Sequence, residues 1–541
     1  MLSRASTMLR HLLACSLALT LASCLGTRLV NLANIDVAVP PPQPGADWRA
    51  DLDVLLERYE NAPVLAPEDA RLEPLFGGLT TLSFFGADAL PRVRDQQLAP
   101  GSARGEDLAQ ACEQPSSPAA SARALQLTDD PRYVPVWMPL AIRGGLAATG
   151  VRCDERGHPI GEGAQDSFCM FGRLALQSGP APVIMVVHGL FDSGAQDYVQ
   201  RLAAVLFRLG HSVLLPDMRD HGDTLRAAPQ LSSTLGTLEG ADLLALSQLT
   251  RQTCGERVTR VGITGVSGGG MDAIHALIAD RTGLLDAGVL ALSPLLDVEQ
   301  AIRDLSDTGD CAIPRSVELT WTDDLLLAAA TGIGFFGGAA VSDLTRGERL
   351  DGHTALAGGM GFGLGLATAA VVDAFFDGGA EACVSQSAIA RIVQDCLHMR
   401  WSVLQATRND ALLSPAGRRI SPEDVALTDY MRERVQFLAR QDSLPLRPMN
   451  AIAMARALRS ALSPTGARPK ARLLVLGADD DPMTRKHALH SFIEHAQGIP
   501  QIHARAVQHG GHGSLWVVQP TIVKAIFERF FTGAAAPAGS R

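Results

Sequence analysis

The chain has 541 residues, of which 57 are acidic and 47 are lysine or arginine, giving a formal net charge of -10. Hydrophobic residues make up 47% of the sequence, which is typical of a globular protein that buries a large core. The acidic balance, without a basic patch, argues against nucleic acid as a partner.

The first residues have the pattern of an export signal. Arg4 and Arg10 precede an apolar run over residues 12–22, which is too short to span a bilayer as a finished helix. The run ends in Leu-Ala-Ser-Cys at residues 21–24, which resembles the lipobox of bacterial lipoproteins. The alternative interpretation is an ordinary secretory signal with an incidental cysteine.

The lipobox resemblance implies that residues 1–23 are removed and that Cys24 becomes an N-terminus carrying acyl chains. Two or three chains anchor a protein stably, because each buried methylene adds about 0.8 kcal/mol. Leu25 follows the cysteine, where an aspartate would signal retention in the inner membrane. We therefore expect a lipid-anchored protein of the bacterial cell envelope, at the outer membrane or facing the periplasm.

Residues 24–130 are predicted to be a tether followed by an N-terminal extension. Residues 25–44 end in a short polyproline stretch, which extends rather than packs. A helix is predicted over residues 48–59, and residues 60–130 are mixed, with loops rich in proline, alanine and serine. The sequence assigns no chemistry to this part of the chain.

The cysteines do not have the spacing of a metal site. The chain contains nine of them, and none forms a zinc-type Cys-x-x-Cys pair. In an oxidising compartment some of them are expected to pair. The pairs closest in sequence beyond the signal are Cys153 with Cys169 and Cys383 with Cys396.

From residue 133 the apolar pattern alternates between strand and helix. The first two predicted strands form an antiparallel lead-in, and the later ones are nearly continuous apolar runs, which indicates a parallel sheet covered on both faces. The predicted strands are residues 134–142, 170–177, 183–188, 212–216, 258–264, 287–292, 471–476 and 501–507. The predicted helices are residues 196–209, 238–250, 268–279, 486–495 and 521–531.

The central motif is Gly265-Val266-Ser267-Gly268-Gly269, which lies between a predicted strand and a predicted helix. Gly-x-Ser-x-Gly in this setting is a nucleophile elbow, a turn so tight that its glycines keep side chains out of the corner. Ser267 is then the candidate nucleophile, and it needs a base and an oxyanion hole. The alternative is a glycine-rich turn that carries no chemistry.

The late part of the chain supplies an acid and a base. The strand predicted over residues 471–476 runs into Asp479, Asp480 and Asp481, and the next predicted strand is followed by His509 and His512. A serine nucleophile needs a histidine to take its proton and a carboxylate to hold the imidazole. We favour His512 as the base, because its flanking glycines permit a close approach to the elbow; His509 is the second candidate.

These motifs resemble the α/β-hydrolase superfamily and, within it, the YheT-type branch. The resemblance depends on His-Gly-Leu-Phe-Asp-Ser at residues 188–193 with Tyr198 soon after, on the Asp-Asp-Pro turn at 480–482, and on His-Gly-Gly-His at 509–512. The chain order Ser, Asp, His is also that of the superfamily. Two features depart from the branch: the elbow has Ser-Gly-Gly where Ser-Leu-Gly is usual, and the insert before the acidic turn is unusually long.

The resemblance implies a role for further residues. In this family an Asp-Pro pair is usual at the acidic turn, which favours Asp481 as the triad acid, with Asp480 as the alternate. The backbone N–H groups of Leu190 and Gly268 are the expected oxyanion hole. We expect His188 to orient its loop rather than to transfer protons.

The loop over residues 217–222, Asp-Met-Arg-Asp-His-Gly, resembles the Asp-x-Arg-Gly-His-Gly loop of these hydrolases. We interpret it as structural and expect Arg219 to pair with a carboxylate. His221 is a less favoured candidate for the base, because His512 lies where the fold places that residue.

The expected fold is an α/β-hydrolase: a mostly parallel, doubly covered sheet with a long, mainly helical cap. The core covers residues 131–300 and 466–535, and the cap residues 301–465. Two uncharged segments of the cap, residues 325–342 and 354–372, are rich in glycine and alanine. They are expected to form either a buried helical hairpin or a hydrophobic lid that touches lipid.

The resemblance implies a membrane-anchored serine hydrolase of carboxylic esters, because family members resemble esterases and lipases. Peptidase and thioesterase activity fit the same residues, and a catalytically silent binding protein is an alternative of another class. No metal or cofactor is implied. The expected partners are a small-molecule or lipid ester and, through Cys24, the membrane; the sequence leaves the physiological substrate and the oligomeric state open.

Overall fold

The computed structural model describes Val39 and residues 47–61, 104–113, 133–301, 450–462 and 471–532, with gaps at 191, 229–230, 232, 235, 299–300, 482, 485, 514 and 516–518. The signal segment, Cys24, residues 325–342 and 354–372 of the cap, and Cys383 and Cys396 lie outside the described residues. The predictions made for them stay predictions.

Within the described residues, nine strands form one sheet in the order β1-β2-β5-β7-β6-β8-β9-β10-β11, and β3 and β4 pair separately. The strands are β1 (Glu106–Asp107), β2 (Val134–Ala141), β3 (Arg152–Cys153), β4 (Pro159–Ile160), β5 (Ser167–Ala175), β6 (Ala181–Val187), β7 (Ser212–Pro216), β8 (Val258–Val266), β9 (Gly288–Leu292), β10 (Leu473–Ala478) and β11 (Ile502–Val507).

The strand directions confirm the predicted fold class. β5 runs antiparallel to both of its neighbours, β2 and β7, and all other neighbours in the large sheet are parallel. The predicted antiparallel lead-in is therefore formed by β2 and β5. From β2 onwards, the order of the strands is that of an α/β-hydrolase sheet.

Helices cover both faces of this sheet, as the continuous apolar strands predict. One buried cluster joins the sheet to α2, α5, α6, α7 and α8, and another joins it to α1, α3 and α9. The helices of the described residues are α1 (Trp48–Glu60), α2 (Leu108–Glu113), α3 (Asp197–Arg208), α4 (Gly222–Ala227), α5 (Thr237–Cys254), α6 (Gly268–Ala279), α7 (Ala451–Ala461), α8 (Lys486–Ala496) and α9 (Pro520–Thr532). None of these helices is long and apolar enough to cross a membrane.

Helix α7 lies in the region assigned to the cap but packs on the core. Asn450 caps its N-terminus by accepting a hydrogen bond from the backbone N–H of Ala453 at 2.9 Å. Met454 and Leu458 are buried in the cluster that also contains α6 and α8. The chain therefore rejoins the core around the central sheet before residue 465.

Two disulfides join described cysteines. Cys153 pairs with Cys169, which confirms the pairing that their proximity in sequence favours. Cys112 pairs with Cys254 across 142 residues, and this pairing was not predicted. It fastens α2 of the N-terminal extension to the end of α5, so the extension is covalently tied to the core.

Candidate active site

Ser267 lies between β8 and α6 in a backbone conformation that is rare for any residue with a side chain. Its φ is 56° and its ψ is -120°. Its backbone N–H donates to the carbonyl of Leu292 at 2.9 Å, and its carbonyl accepts from the N–H groups of Met271 and Leu295 at 3.1 and 3.2 Å. These bonds hold the strained turn and keep Ser267 at the carboxyl end of β8.

The turn leaves no room for a side chain at Gly265 or Gly269, the glycines on either side of Ser267. A Cβ on Gly265 would lie 2.1 Å from the carbonyl oxygen of Gly269, and one on Gly269 would lie 2.3 Å from the carbonyl oxygen of His188. No side chain fits at such distances from backbone oxygens. The Gly-x-Ser-x-Gly pattern of the sequence therefore follows from the closeness of the turn to its own helix and to the end of β6.

The loop after β6 lies directly against the elbow. A Cβ on Gly189 would be 3.3 Å from Cβ of Ser267, and a Cβ on Gly268 would be 3.1 Å from the backbone nitrogen of Leu190. Leu190 and Gly268, the two predicted oxyanion-hole residues, are thus brought together beside Ser267. Gly268 is also the first residue of α6, where a helix leaves N–H groups without an intrahelical acceptor.

Two buried side chains orient this loop. The Nε2 atom of His188 accepts a hydrogen bond from the N–H of Met218 at 3.1 Å, so its Nδ1 carries the proton and donates to the carbonyl of Gly189 at 2.8 Å. The hydroxyl of Tyr198 accepts from the N–H of Gly189 and donates to the carboxylate of Asp192, both at 2.7 Å. Burial, and next the charge of Asp192, raise the pKa of Tyr198 well above its usual value, so the phenol stays protonated.

Asp481 and His512, the favoured acid and base, form a buried pair. Nδ1 of His512 lies 3.0 and 2.9 Å from the two carboxylate oxygens of Asp481. Asp481 also accepts from the N–H groups of Met483 and Thr484, each at 2.8 Å, which fixes the carboxylate. A proton held on Nδ1 by the carboxylate makes Nε2 the basic nitrogen of the ring.

The two alternate candidates, Asp480 and His509, lie next to each other instead. Nδ1 of His509 is 3.6 Å from a carboxylate oxygen of Asp480. The other oxygen of Asp480 accepts from the N–H groups of Gly510 and Gly511 at 3.0 and 2.8 Å. Burial raises the pKa of Asp480, against the opposing effect of His509 and of these N–H groups. Asp480 therefore holds the backbone of residues 509–513, the histidine loop that follows β11.

Ser293 links the histidine loop to the elbow. Its hydroxyl oxygen accepts from the N–H of Gly513 at 2.9 Å, and the preceding residue, Leu292, accepts from the N–H of Ser267. The two consecutive residues Leu292 and Ser293, at the end of β9, therefore hold the backbone of Ser267 and of Gly513, the residue that follows His512. Ser293 is not among the residues predicted from the sequence, although a polar residue directly after an apolar strand at this edge of the sheet indicates a site residue.

The loop over residues 217–222 has the structural role predicted for it. Arg219 forms a buried bidentate ion pair with Asp242, and its guanidinium also donates to the carbonyl oxygens of Ala141 and Ile142 at 3.0 and 2.7 Å. The predicted pairing of Arg219 with a carboxylate is confirmed. The His221 ring hydrogen bonds to the Arg219 carbonyl and lies 4.7 Å from the ring of His188.

The described residues contain no group of three or more His, Cys, Asp or Glu side chains arranged to hold a metal ion.

The sequence matches no protein-family model and no curated protein. Among solved structures, an esterase of Pyrococcus furiosus, Pf2001, is 13% identical with a TM-score of 0.34, over 68% of this chain and 87% of that one. Est1E from Butyrivibrio proteoclasticus is 11% identical with a TM-score of 0.31, over 67% and 94% of the two chains. A membrane phospholipase A, described as a bacterial virulence factor, is 13% identical with a TM-score of 0.32, over 68% and 83%. Identities and scores this low do not define the activity of this chain.

Proposed function

We propose that the protein is a serine hydrolase that cleaves carboxylic esters, with Ser267 as nucleophile, His512 as base and Asp481 as the acid that orients it. One observation carries the proposal. Nδ1 of His512 lies within 3.0 Å of both carboxylate oxygens of Asp481. The loop that carries His512 is hydrogen-bonded to Ser293, and the preceding residue, Leu292, accepts from the N–H of Ser267. This arrangement supports the proposal, because a serine nucleophile needs a histidine base that a carboxylate holds in place.

In the first half-reaction, the hydroxyl oxygen of Ser267 attacks the ester carbonyl carbon while Nε2 of His512 takes its proton. The negative charge that develops on the carbonyl oxygen is accepted by the N–H groups of Leu190 and Gly268, each worth about 3 kcal/mol in such sites. The buried carboxylate of Asp481 stabilises the imidazolium. The alcohol then leaves with the proton that His512 returns, and the acyl group stays on Ser267.

In the second half-reaction, water replaces the alcohol. His512 takes a proton from the water as it attacks the acyl carbon, and the same two N–H groups stabilise the second tetrahedral intermediate. Collapse of this intermediate releases the acid and returns the proton to Ser267. Esters, thioesters and amides share this acyl-enzyme, so the leaving group has to be tested directly.

The decisive experiment combines labelling with kinetics. A fluorophosphonate probe should label the wild-type protein and Ser247→Ala, but not Ser267→Ala. Ser247 is a matched control, because it is also buried and, within the described residues, its hydroxyl donates to the carbonyl of Leu243 in its own helix at 2.7 Å. Labelling of Ser267→Ala at the wild-type rate would exclude Ser267 as the nucleophile. A panel of p-nitrophenyl esters, a thioester and an anilide then identifies the leaving group.

We further propose that Cys24 anchors this hydrolase to a membrane and that residues 325–342 and 354–372 favour acyl chains longer than acetate. The support is the lipobox at residues 21–24 and the lack of charge in both segments. Cys24→Ser should no longer incorporate a palmitate analogue.

The cap proposal is tested with Leu364→Asp. This substitution should weaken hydrolysis of long esters more than of acetate, since each buried methylene contributes about 0.8 kcal/mol. An equal loss on all esters would contradict a lipid-facing lid.

A further inference from the structure

Helix α1, to which the sequence alone assigns no role, packs on the core around the central sheet. Leu52, Leu55 and Leu56 are buried in the cluster that contains α3 and α9. At the start of the helix, the ring of Trp48 packs edge-on against Phe530, with ring centroids 5.8 Å apart. The N-terminal helix therefore shares a hydrophobic core with the last helix of the described chain.

Contacts between polar and charged side chains add to this docking along the helix. Asp51 lies 2.6 Å from the guanidinium of Arg529 on α9. Asp53 lies 3.1 Å from His503 and 3.4 Å from Arg505, both on β11. The contacts with β11 matter most for the site, because the histidine loop begins where β11 ends.

The last turn of α1 reaches that loop through Tyr59. Its hydroxyl donates to the carbonyl oxygen of His509 at 2.8 Å, across 450 residues of sequence. Tyr59 is only 1% exposed, so the bond is shielded from water. Burial, and next the charge of Asp480, raise the pKa of the phenol well above its usual value, which keeps it protonated and able to donate.

The bond from Tyr59 completes the support of the loop. Asp480 accepts from the N–H groups of Gly510 and Gly511, and Ser293 accepts from the N–H of Gly513. Tyr59 binds the carbonyl at the beginning of the same segment. The backbone on both sides of His512 is thus fixed, with one of the fixing groups contributed by the N-terminal extension.

We propose that Tyr59 is a positioning residue for His512, so that α1 belongs to the framework of the active site. This inference rests on the proposed serine hydrolase activity. Tyr59 acts through the His509 carbonyl: it restrains the loop that sets the direction of the imidazole. Loss of the hydroxyl leaves the ring packed but lets the loop shift, and a small displacement of a catalytic base lowers turnover without weakening substrate binding.

The test uses Tyr59→Phe in the full-length protein, which removes the hydroxyl and keeps the ring. Tyr133→Phe is the matched control, because it removes a hydroxyl from a half-buried tyrosine just before β2, far from β11 in the strand order. For Tyr59→Phe we expect kcat on a p-nitrophenyl ester to fall about tenfold, with KM changed less than about twofold. Hydrogen exchange at the amides of Gly510 and Gly511 should also accelerate.

The control should keep the wild-type kcat and the wild-type exchange rates at these two amides. Unchanged kcat in Tyr59→Phe, or an equal loss in both variants, would overturn the inference. If the wild type hydrolyses no ester and takes up no fluorophosphonate, the proposed function fails, and the exchange measurement decides alone. In that case unchanged exchange at Gly510 and Gly511 in Tyr59→Phe overturns the positioning role.

Discussion

Asp480 and Asp481 are consecutive in the chain, yet their carboxylates support different parts of one loop. Asp481 faces Nδ1 of His512, whereas Asp480 accepts the backbone N–H groups of Gly510 and Gly511. One residue thus orients the imidazole and its neighbour holds the backbone that carries it. The preceding Asp479 pairs instead with Lys486 and His490 at the surface.

Three consecutive aspartates therefore allow an internally controlled experiment. Asp481→Asn should lower kcat about 10³- to 10⁴-fold, because an amide cannot hold the required tautomer or stabilise the imidazolium. Asp480→Asn should cost about tenfold, since its amide oxygen still accepts the two N–H groups but without charge. Asp479→Asn, at an exposed ion pair, should stay within about twofold of the wild type. Ester kinetics measure all three; a larger loss for Asp480→Asn than for Asp481→Asn would reverse the assignment.

The second prediction concerns the loop after β6, which contains Gly189 and Leu190. Tyr198→Phe removes the hydroxyl that accepts from the N–H of Gly189 and donates to Asp192, so Leu190 next to it loses its fixed position. We expect kcat to fall about tenfold with little change in KM, because the lost interaction serves the tetrahedral intermediate. Asp192→Asn keeps an acceptor for the Tyr198 hydroxyl and should lose less. A Tyr198→Phe enzyme with normal kcat would contradict this role of the loop.

The burial of His211 allows us to predict how the free energy of unfolding depends on pH. The side chain is 2% exposed, neither ring nitrogen has a hydrogen-bond partner within the described residues, and burial lowers the pKa to about 4 from the usual 6.5. Between these values the unfolded chain binds more protons than the folded one, so stability falls as the pH drops from 6.5 to 4. The loss approaches about 3 kcal/mol, since each unit of pKa difference is worth about 1.4 kcal/mol.

The measurement is urea denaturation at pH 7 and at pH 4.5. His211→Phe removes the titrating group and keeps an aromatic ring beside Phe531, so its free energy of unfolding should depend less steeply on pH. His487→Gln, which replaces an exposed histidine, serves as the control, and its free energy of unfolding should keep the wild-type pH dependence. Parallel curves for the wild type and His211→Phe would show that another group causes the loss in acid.

The two disulfides should differ in their effect on stability. Cys112–Cys254 closes a loop of 142 residues and Cys153–Cys169 one of 16. A longer loop restricts the unfolded chain more, with estimates of about 3 kcal/mol for a short loop and nearly 5 kcal/mol for a long one. Replacing both cysteines of the first pair by alanine should therefore lower Tm more than replacing those of the second. The reverse order in thermal denaturation would indicate that native packing, rather than chain entropy, governs these bonds.

Several features of this protein are determined by sequence alone. The alternation of apolar strands with helices predicts the covered parallel sheet, because periodicity is local and each continuous apolar run needs two buried faces. The elbow around Ser267 is equally local, since its glycines are required by the turn that contains them. Short-range spacing also indicates the pairing of Cys153 with Cys169, whereas the choice of Asp481 over Asp480 depends on the resemblance of the Asp-Pro turn to that of a known family.

Only the tertiary structure decides which distant groups meet. Nothing in the pattern of α1 indicates that Tyr59 reaches the carbonyl of His509, or that Cys112 lies beside Cys254. Asp480 and Asp481 look alike in the sequence, and they differ only because the turn after β10 directs one carboxylate to a ring and the other to a backbone. Such contacts depend on the order of strands in the sheet and on the faces where helices pack, which are set by burial over the whole chain rather than by any segment of it.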